Sequence, residues 1–187
     1  MTEPDAGNKR KLTYPEATRL AFKLHTQRRL SESEALYRKL LEGRPNDQNV
    51  LHYLGVLMHQ TGRHAEALQL IERSLAADAT VAAWHNNYGN LLLDAGRFDE
   101  AASAYARCTE LDPGNVEVLC NLGVMYRHLK KFELAETMLR RALAAQPDFV
   151  TAYLNLATLF WVMGRSDDAQ AQTAAALKMF PRDVELR

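Results

Sequence analysis

The chain has 187 residues with 23 Lys and Arg against 23 Asp and Glu, so its formal net charge is zero. That balance argues against nucleic acid or an anionic membrane surface as the main partner, because both need concentrated positive charge. Hydrophobic residues make up 47% of the chain, enough for a substantial core, and two cysteines make no disulfide framework.

Residues 1–13 are polar, contain Pro4 and Gly7, and lack the apolar run of a signal peptide. A disordered tail is expected there, with Lys9-Arg10-Lys11 solvated rather than bound. No window is apolar enough for a membrane span, and a reducing cytoplasm is the expected location. The first 44 residues carry ten Lys and Arg against six Asp and Glu, so the remainder is acidic by the same margin.

From Tyr14 onward the chain reads as paired helices. Pro15 suits a first helical turn. Ala17, Leu20, Ala21 and Leu24 form one apolar stripe, Arg28-Arg29 stand at a turn, and Leu30, Ser33, Tyr37, Leu40 and Leu41 form a second stripe before Pro45. Leu51, Leu54, Gly55 and Met58 then lead to Gly62, and Ala67, Ile71, Ser74 and Leu75 follow. Trp84 to Asp94 and Phe98 to Leu111 repeat the pattern around Gly96 and end at Pro113-Gly114, a helix-terminating pair. Lys130 stands at the next turn, with Phe132, Ala135, Leu139, Ala142 and Leu143 behind it. Tyr153, Leu156, Ala157 and Phe160 precede Gly164, and Ala169, Ala176 and Leu177 close the series.

These stripes recur at a spacing of 34. Pro45, Pro113, Pro147 and Pro181 fall in one column, Gly55, Gly89 and Gly123 in a second, and Ala67, Ala101, Ala135 and Ala169 in a third. Five units follow: 14–47, 48–81, 82–115, 116–149 and 150–183, with 184–187 as the stub of a further repeat or a linker. Each helix of about a dozen residues is marginal alone, so stability must come from stacking on neighbours.

The match Leu119, Leu122-Gly123, Tyr126, Ala135, Leu139, Ala142, Pro147 resembles the tetratricopeptide repeat. Departures are Ala79 in the proline column, Trp84 one place early with His85 in its column, and Thr173 where a bulky apolar residue is usual. The resemblance implies an all-α fold: ten helices in five antiparallel hairpins, wound as a right-handed superhelix, an open α-solenoid. It also implies a protein or peptide partner held on the concave face lined by the first helix of each hairpin. Two residues before the small-residue column lie Arg19, Tyr53, Asn87, Asn121 and Asn155. An Asn carboxamide offers both a donor and an acceptor, which match the N–H and C=O of an extended backbone. The three asparagines resemble the ladder in the repeats of O-linked N-acetylglucosamine transferases, which hold substrate polypeptides. Related arrays clamp chaperone C-termini with Lys, Asn and Arg, but the corresponding positions here are Phe22, Val56, Glu117 and Asn121, without the basic members. Phe22, Val56, Leu93, Val124, Leu154 and Trp161 supply apolar groove positions, and Trp161 is a candidate hot spot or the seat of whatever follows.

Catalysis and metal binding are not expected. His52 and His59 lie two helical turns apart, about 10 Å in rise, too far for one ion. Cys108 falls in a packing column and Cys120 is expected near the groove. No base–nucleophile constellation or phosphate loop is readable, and no cofactor is implied. The expected function is a protein-interaction scaffold. The alternative is the N-terminal, substrate-recruiting part of a larger transferase, because Leu24 to Ala67 resembles the opening of bacterial arrays that precede glycosyltransferase or sulfotransferase domains. Trp161, Leu177 and Phe180 leave apolar surface at the last repeat, so self-association or docking of a following domain is expected there.

Overall fold

Every turn inside a hairpin is built the same way. The computed structural model describes residues 12–179, and across that span the backbone takes a left-handed residue at Arg28 (φ 62°), Gly62 (φ 78°), Gly96 (φ 72°), Lys130 (φ 57°) and Gly164 (φ 76°). The next N–H then reaches back to a carbonyl five residues earlier: Arg29 to Leu24, Arg63 to Met58, Arg97 to Leu92, Lys131 to Tyr126 and Arg165 to Phe160, at 2.8–2.9 Å. This closure satisfies carbonyls orphaned at a helix end. Arg28 and Lys130 adopt a conformation that costs a side-chain-bearing residue energy which glycine does not lose.

The chain divides into two compact units, residues 1–77 and 78–187. The first contains α1 (Tyr14–Thr26), α2 (Leu30–Gly43), α3 (Gln48–Gln60) and α4 (His64–Ala77). The second contains α5 (Ala82–Asp94), α6 (Phe98–Leu111), α7 (Val116–His128), α8 (Phe132–Ala145), α9 (Val150–Val162) and α10 (Ser166–Met179). The described residues form helices and turns with no strand, so the fold class is all-α. The tail up to Lys11, Phe180 and the stub 184–187 lie outside the described residues. Thr13 lies inside them and starts α1: its N–H and Oγ1 both donate to the Glu16 carboxylate, at 2.8 and 2.9 Å. Asp47 and Asn115 cap α3 and α7 by accepting from Val50 and Val118.

Within the first unit α1 pairs with α2 and α3 with α4, and α3 stacks on both α1 and α2. Ala21 and Ser33 are wholly buried where the first hairpin closes, and the Ser33 hydroxyl donates to the Ala21 carbonyl at 2.8 Å. Within the second unit the pairs are α5–α6, α7–α8 and α9–α10, with α6 on α7, α8 on α9, and α7 touching α9. Leu119, Leu139, Ala142, Ala152, Leu156, Leu159 and Phe160 form one buried cluster across the fourth and fifth hairpins.

The small-residue column lets the helices of a hairpin meet. A Cβ added to Gly89 would lie 2.6 Å from Tyr105 Cε1, and one added to Gly55 would lie 2.6 Å from Ile71 Cγ1. The departures from the repeat are absorbed locally. Trp84 and His85 are both buried, and His85 Nε2 hydrogen-bonds the Ala79 carbonyl at 3.0 Å. Two repeats later Tyr153 makes the equivalent contact, its hydroxyl donating to the Pro147 carbonyl at 3.1 Å.

Arg–acid pairs brace the second helix of four hairpins at its start: Arg29–Glu32, Arg63–Glu66, Arg97–Glu100 and Arg165–Asp168, at 2.5–2.6 Å. Arg63 also reaches Glu34 of the preceding hairpin at 2.7 Å, and Arg165 reaches Glu136 at 2.9 Å. These side chains are partly exposed to solvent, so each pair contributes little on its own.

Candidate interaction surface

The surface follows from helix geometry. On each first helix the small column faces the hairpin partner, and two residues earlier is about 200° round the helix. That position therefore turns away from the partner helix. Asn87 on α5, Asn121 on α7 and Asn155 on α9 occupy it in the second unit, and all three are half-buried. Tyr53 on α3, half-buried, and Arg19 on α1, exposed, occupy it in the first unit.

The Asn155 carboxamide lies beside the Cys120 thiol of the preceding hairpin. Cys120 itself is only 2% exposed, packed in the cluster that α9 completes. Cys120, expected near the groove, is buried beneath the next repeat, beside Asn155. Burial pushes its thiol up to about 11, against a smaller opposing effect of Asn155. Such a thiol is a poor nucleophile at neutral pH. Burial likewise raises the Cys108 thiol.

In the first unit the corresponding surface is aromatic. The Tyr53 ring lies 5.0 Å from Phe22, 6.3 Å from Tyr37 and 5.8 Å from His52. Phe22 is exposed, Tyr37 is fully buried, and the Arg19 guanidinium reaches its own helix, Nε donating to the Pro15 carbonyl at 3.3 Å.

Trp161 is 71% exposed and lines a cavity of about 580 Å³ on the α9–α10 hairpin with Leu154, Ala157, Thr158, Thr173 and Leu177. Thr173, where a bulky apolar residue was expected, contributes to that opening. Among the described residues no three His, Cys, Asp or Glu side chains converge as metal ligands would. No helix among them is long and apolar enough to cross a membrane.

His52 carries a pH dependence. It is 3% exposed, and burial pushes its imidazole from 6.5 down to about 4. The folded protein thus holds it neutral while the unfolded chain takes up a proton near pH 6.5. Its contribution is complete above pH 6.5 and is lost as pH falls from 6.5 to 4, a total of about 3 kcal/mol. Urea titrations at pH 7.5 and pH 4 should show that loss in the parent and a much smaller one in His52→Asn.

Sequence reasoning missed the corner where α7 meets α8. There the His128 ring stacks on Phe98, centroids 5.5 Å apart and planes 11° from parallel. Phe98 and Leu134 are 38% and 46% exposed. Stepping along the Arg–acid columns would have flagged the place, since Lys131 and Leu134 interrupt them.

Solved structures share this fold. YrrB, described as a TPR protein with an unusual peptide-binding site, superposes with a TM-score of 0.85 at 18% identity, covering 93% of this chain and 89% of that one. A crystal structure of MamA gives 0.84 at 19% identity, covering 92% and 94%. Among curated proteins, the tetratricopeptide repeat-containing protein trd-1 of Caenorhabditis elegans is 29% identical over 149 residues, 80% of this chain and 18% of its own length. Sperm-associated antigen 1 of Rattus norvegicus is 30% identical over 125 residues, 67% of this chain and 14% of its own length. The chain thus spans less than a fifth of these curated relatives. Residues 51–180 match the family model described as the cilia and flagella-associated protein 70 middle TPR-like domain. Repeat spacing, hairpin geometry and that match agree: the chain belongs to the tetratricopeptide-repeat family, within the group that this TPR-like domain defines.

Proposed function

We propose that this protein is an interaction scaffold whose second unit holds an extended segment of a partner polypeptide along Asn87, Asn121 and Asn155. The carrying observation is the recurrence of a half-buried carboxamide at the same position of three successive first helices, turned away from the hairpin partner. A carboxamide has two donor hydrogens and two acceptor lone pairs. Beside the Cys120 thiol, the Asn155 carboxamide thus keeps capacity for a peptide backbone. Packed helices lie about 8–10 Å apart and an extended chain advances about 3.3 Å per residue, so one Asn serves about every third residue.

Each net hydrogen bond contributes about 0.5–1.5 kcal/mol, and bringing in and ordering a peptide costs at least about 4 kcal/mol. The asparagines alone thus give weak, sequence-tolerant binding. Apolar contacts add selectivity: exposed Trp161 in the second unit, and Tyr53 with Phe22, beside Arg19, in the first. Recruitment of a substrate for a larger transferase would use the same asparagines and differs only in what the full protein carries.

The test is a display library of short random peptides selected on the parent and titrated by calorimetry. Changing all three asparagines to alanine should weaken unrelated binders by a similar factor, because the backbone is common to them. Trp161→Ala should instead reorder preferences among them. Unaltered affinities in the triple variant, with far-UV circular dichroism unchanged, would sink the reading.

A further inference from the structure

The fourth hairpin breaks the Arg–acid rule. Where the others place Arg29–Glu32, Arg63–Glu66, Arg97–Glu100 and Arg165–Asp168, this one has Lys131 and Leu134. Around that break, residues 126–134 read Tyr-Arg-His-Leu-Lys-Lys-Phe-Glu-Leu, with one acid among four basic side chains. Among the described residues Arg127, Lys130 and Lys131 have no ion-pair partner. Lys130 and Lys131 are exposed at the turn itself, the former in the left-handed conformation.

The apolar side chains here are unusual for an exposed corner. Leu134, one turn into α8, is 46% exposed where the other four hairpins have an acid engaged with its own arginine. Phe98 opens α6 at 38% exposure, held by its stack on His128 at the end of α7. Cationic and apolar surface therefore coincide on one edge of the second unit, in a chain whose formal net charge is zero.

We propose that this corner, Arg127, His128, Lys130 and Lys131 with Phe98 and Leu134, docks an acidic peptide segment of a partner protein that carries an apolar side chain between its carboxylates. The charges select the sign of the partner, and electrostatic complementarity of this kind chiefly sets specificity and association rate. The apolar pair selects a peptide over a phosphate backbone, for which it has no use. One face of Phe98 is already occupied by His128, which leaves less of the ring for stacking a nucleobase. The surface is built from the end of α7, the turn that follows it and the starts of α6 and α8; it does not include the asparagines of the first helices, so it stands or falls independently of them.

The probe is a fluorescein-labelled glutamate-rich peptide with one leucine and one phenylalanine at its centre, followed by anisotropy on the full chain. Its twin has glutamine for every glutamate. The acidic peptide should bind at least about tenfold more tightly than the twin at low salt, and the difference should shrink as salt screens it. Lys131→Arg with Leu134→Glu rebuilds the pair found in the other hairpins and should lower affinity about tenfold while leaving circular dichroism and melting unchanged. Lys130→Gln with Lys131→Gln should have the same effect, and it decides the matter if the first variant fails to fold. Equal binding of the two peptides, no binding of either, or parental affinity in a folded variant would overturn the proposal. So would preferential binding of phosphatidylserine vesicles or oligothymidine over the acidic peptide.

Discussion

Phe160→Ala should lower the stability of the second unit by about 3–5 kcal/mol, the range for deleting a fully buried aromatic side chain. Phe160 is 1% exposed and joins the fifth hairpin to the fourth through the cluster that includes Leu119, Leu139, Ala142 and Leu156. Its ring also carries the Arg165 guanidinium at 4.3 Å from the centroid, with Arg140 at 6.0 Å. Arg165 in turn binds Asp168 and Glu136, so the ring orders a small ionic net as well as a core. Loss of the ring leaves a cavity between two layers whose other shared aromatics, Tyr126, Phe132 and Phe149, are only partly buried. Amide hydrogen exchange would locate the damage, with protection falling across α7 to α10. Unchanged protection there would show that the cluster does not hold the two hairpins together.

Gly89→Val should cost about 3 kcal/mol, at the upper end of overpacking effects. The new Cβ would sit 2.6–2.9 Å from three atoms of the Tyr105 ring. That ring cannot easily yield: Tyr105 is fully buried and its hydroxyl donates to Asn90 Oδ1 at 2.7 Å. Gly123→Ala is the milder comparison. Its Cβ would meet Leu139 Cγ and Cδ2 at 2.8 and 3.0 Å, on a side chain that can change rotamer. Alanine also gains about 1 kcal/mol over glycine in helix propensity, which offsets part of that clash. Urea titration of the three proteins should rank parent, Gly123→Ala and Gly89→Val in falling order. Equal midpoints would mean that α5 and α6 can separate without penalty.

The hairpins were legible because their causes are local and repeated. Gly96 and Gly164 announce a left-handed turn, and Ala101 and Ala135 announce a close helix contact, each visible by stepping the same distance along the chain. Arg28 and Lys130 were less legible, since nothing in either residue type asks for positive φ; the neighbouring repeats impose it. The asparagine column could be read as a column. What each asparagine touches could not, because the Cys120 thiol that meets Asn155 belongs to a different hairpin. The corner at Lys131 was hidden for a related reason. Phe98 and His128 lie thirty positions apart, and only the stacking of α6 on α7 brings their rings together.

The shared turn closure makes each hairpin a cassette that carries its own start and stop. A duplication or deletion of 34 residues would return every later side chain to an equivalent station, with its stripe still facing the preceding layer. An insertion of one residue inside a helix would instead rotate all that follows in that helix by about 100°, turning buried positions toward solvent. Gains and losses of length are therefore quantised in this architecture, and the connectors, such as residues 146–149, are where a single added residue does least harm.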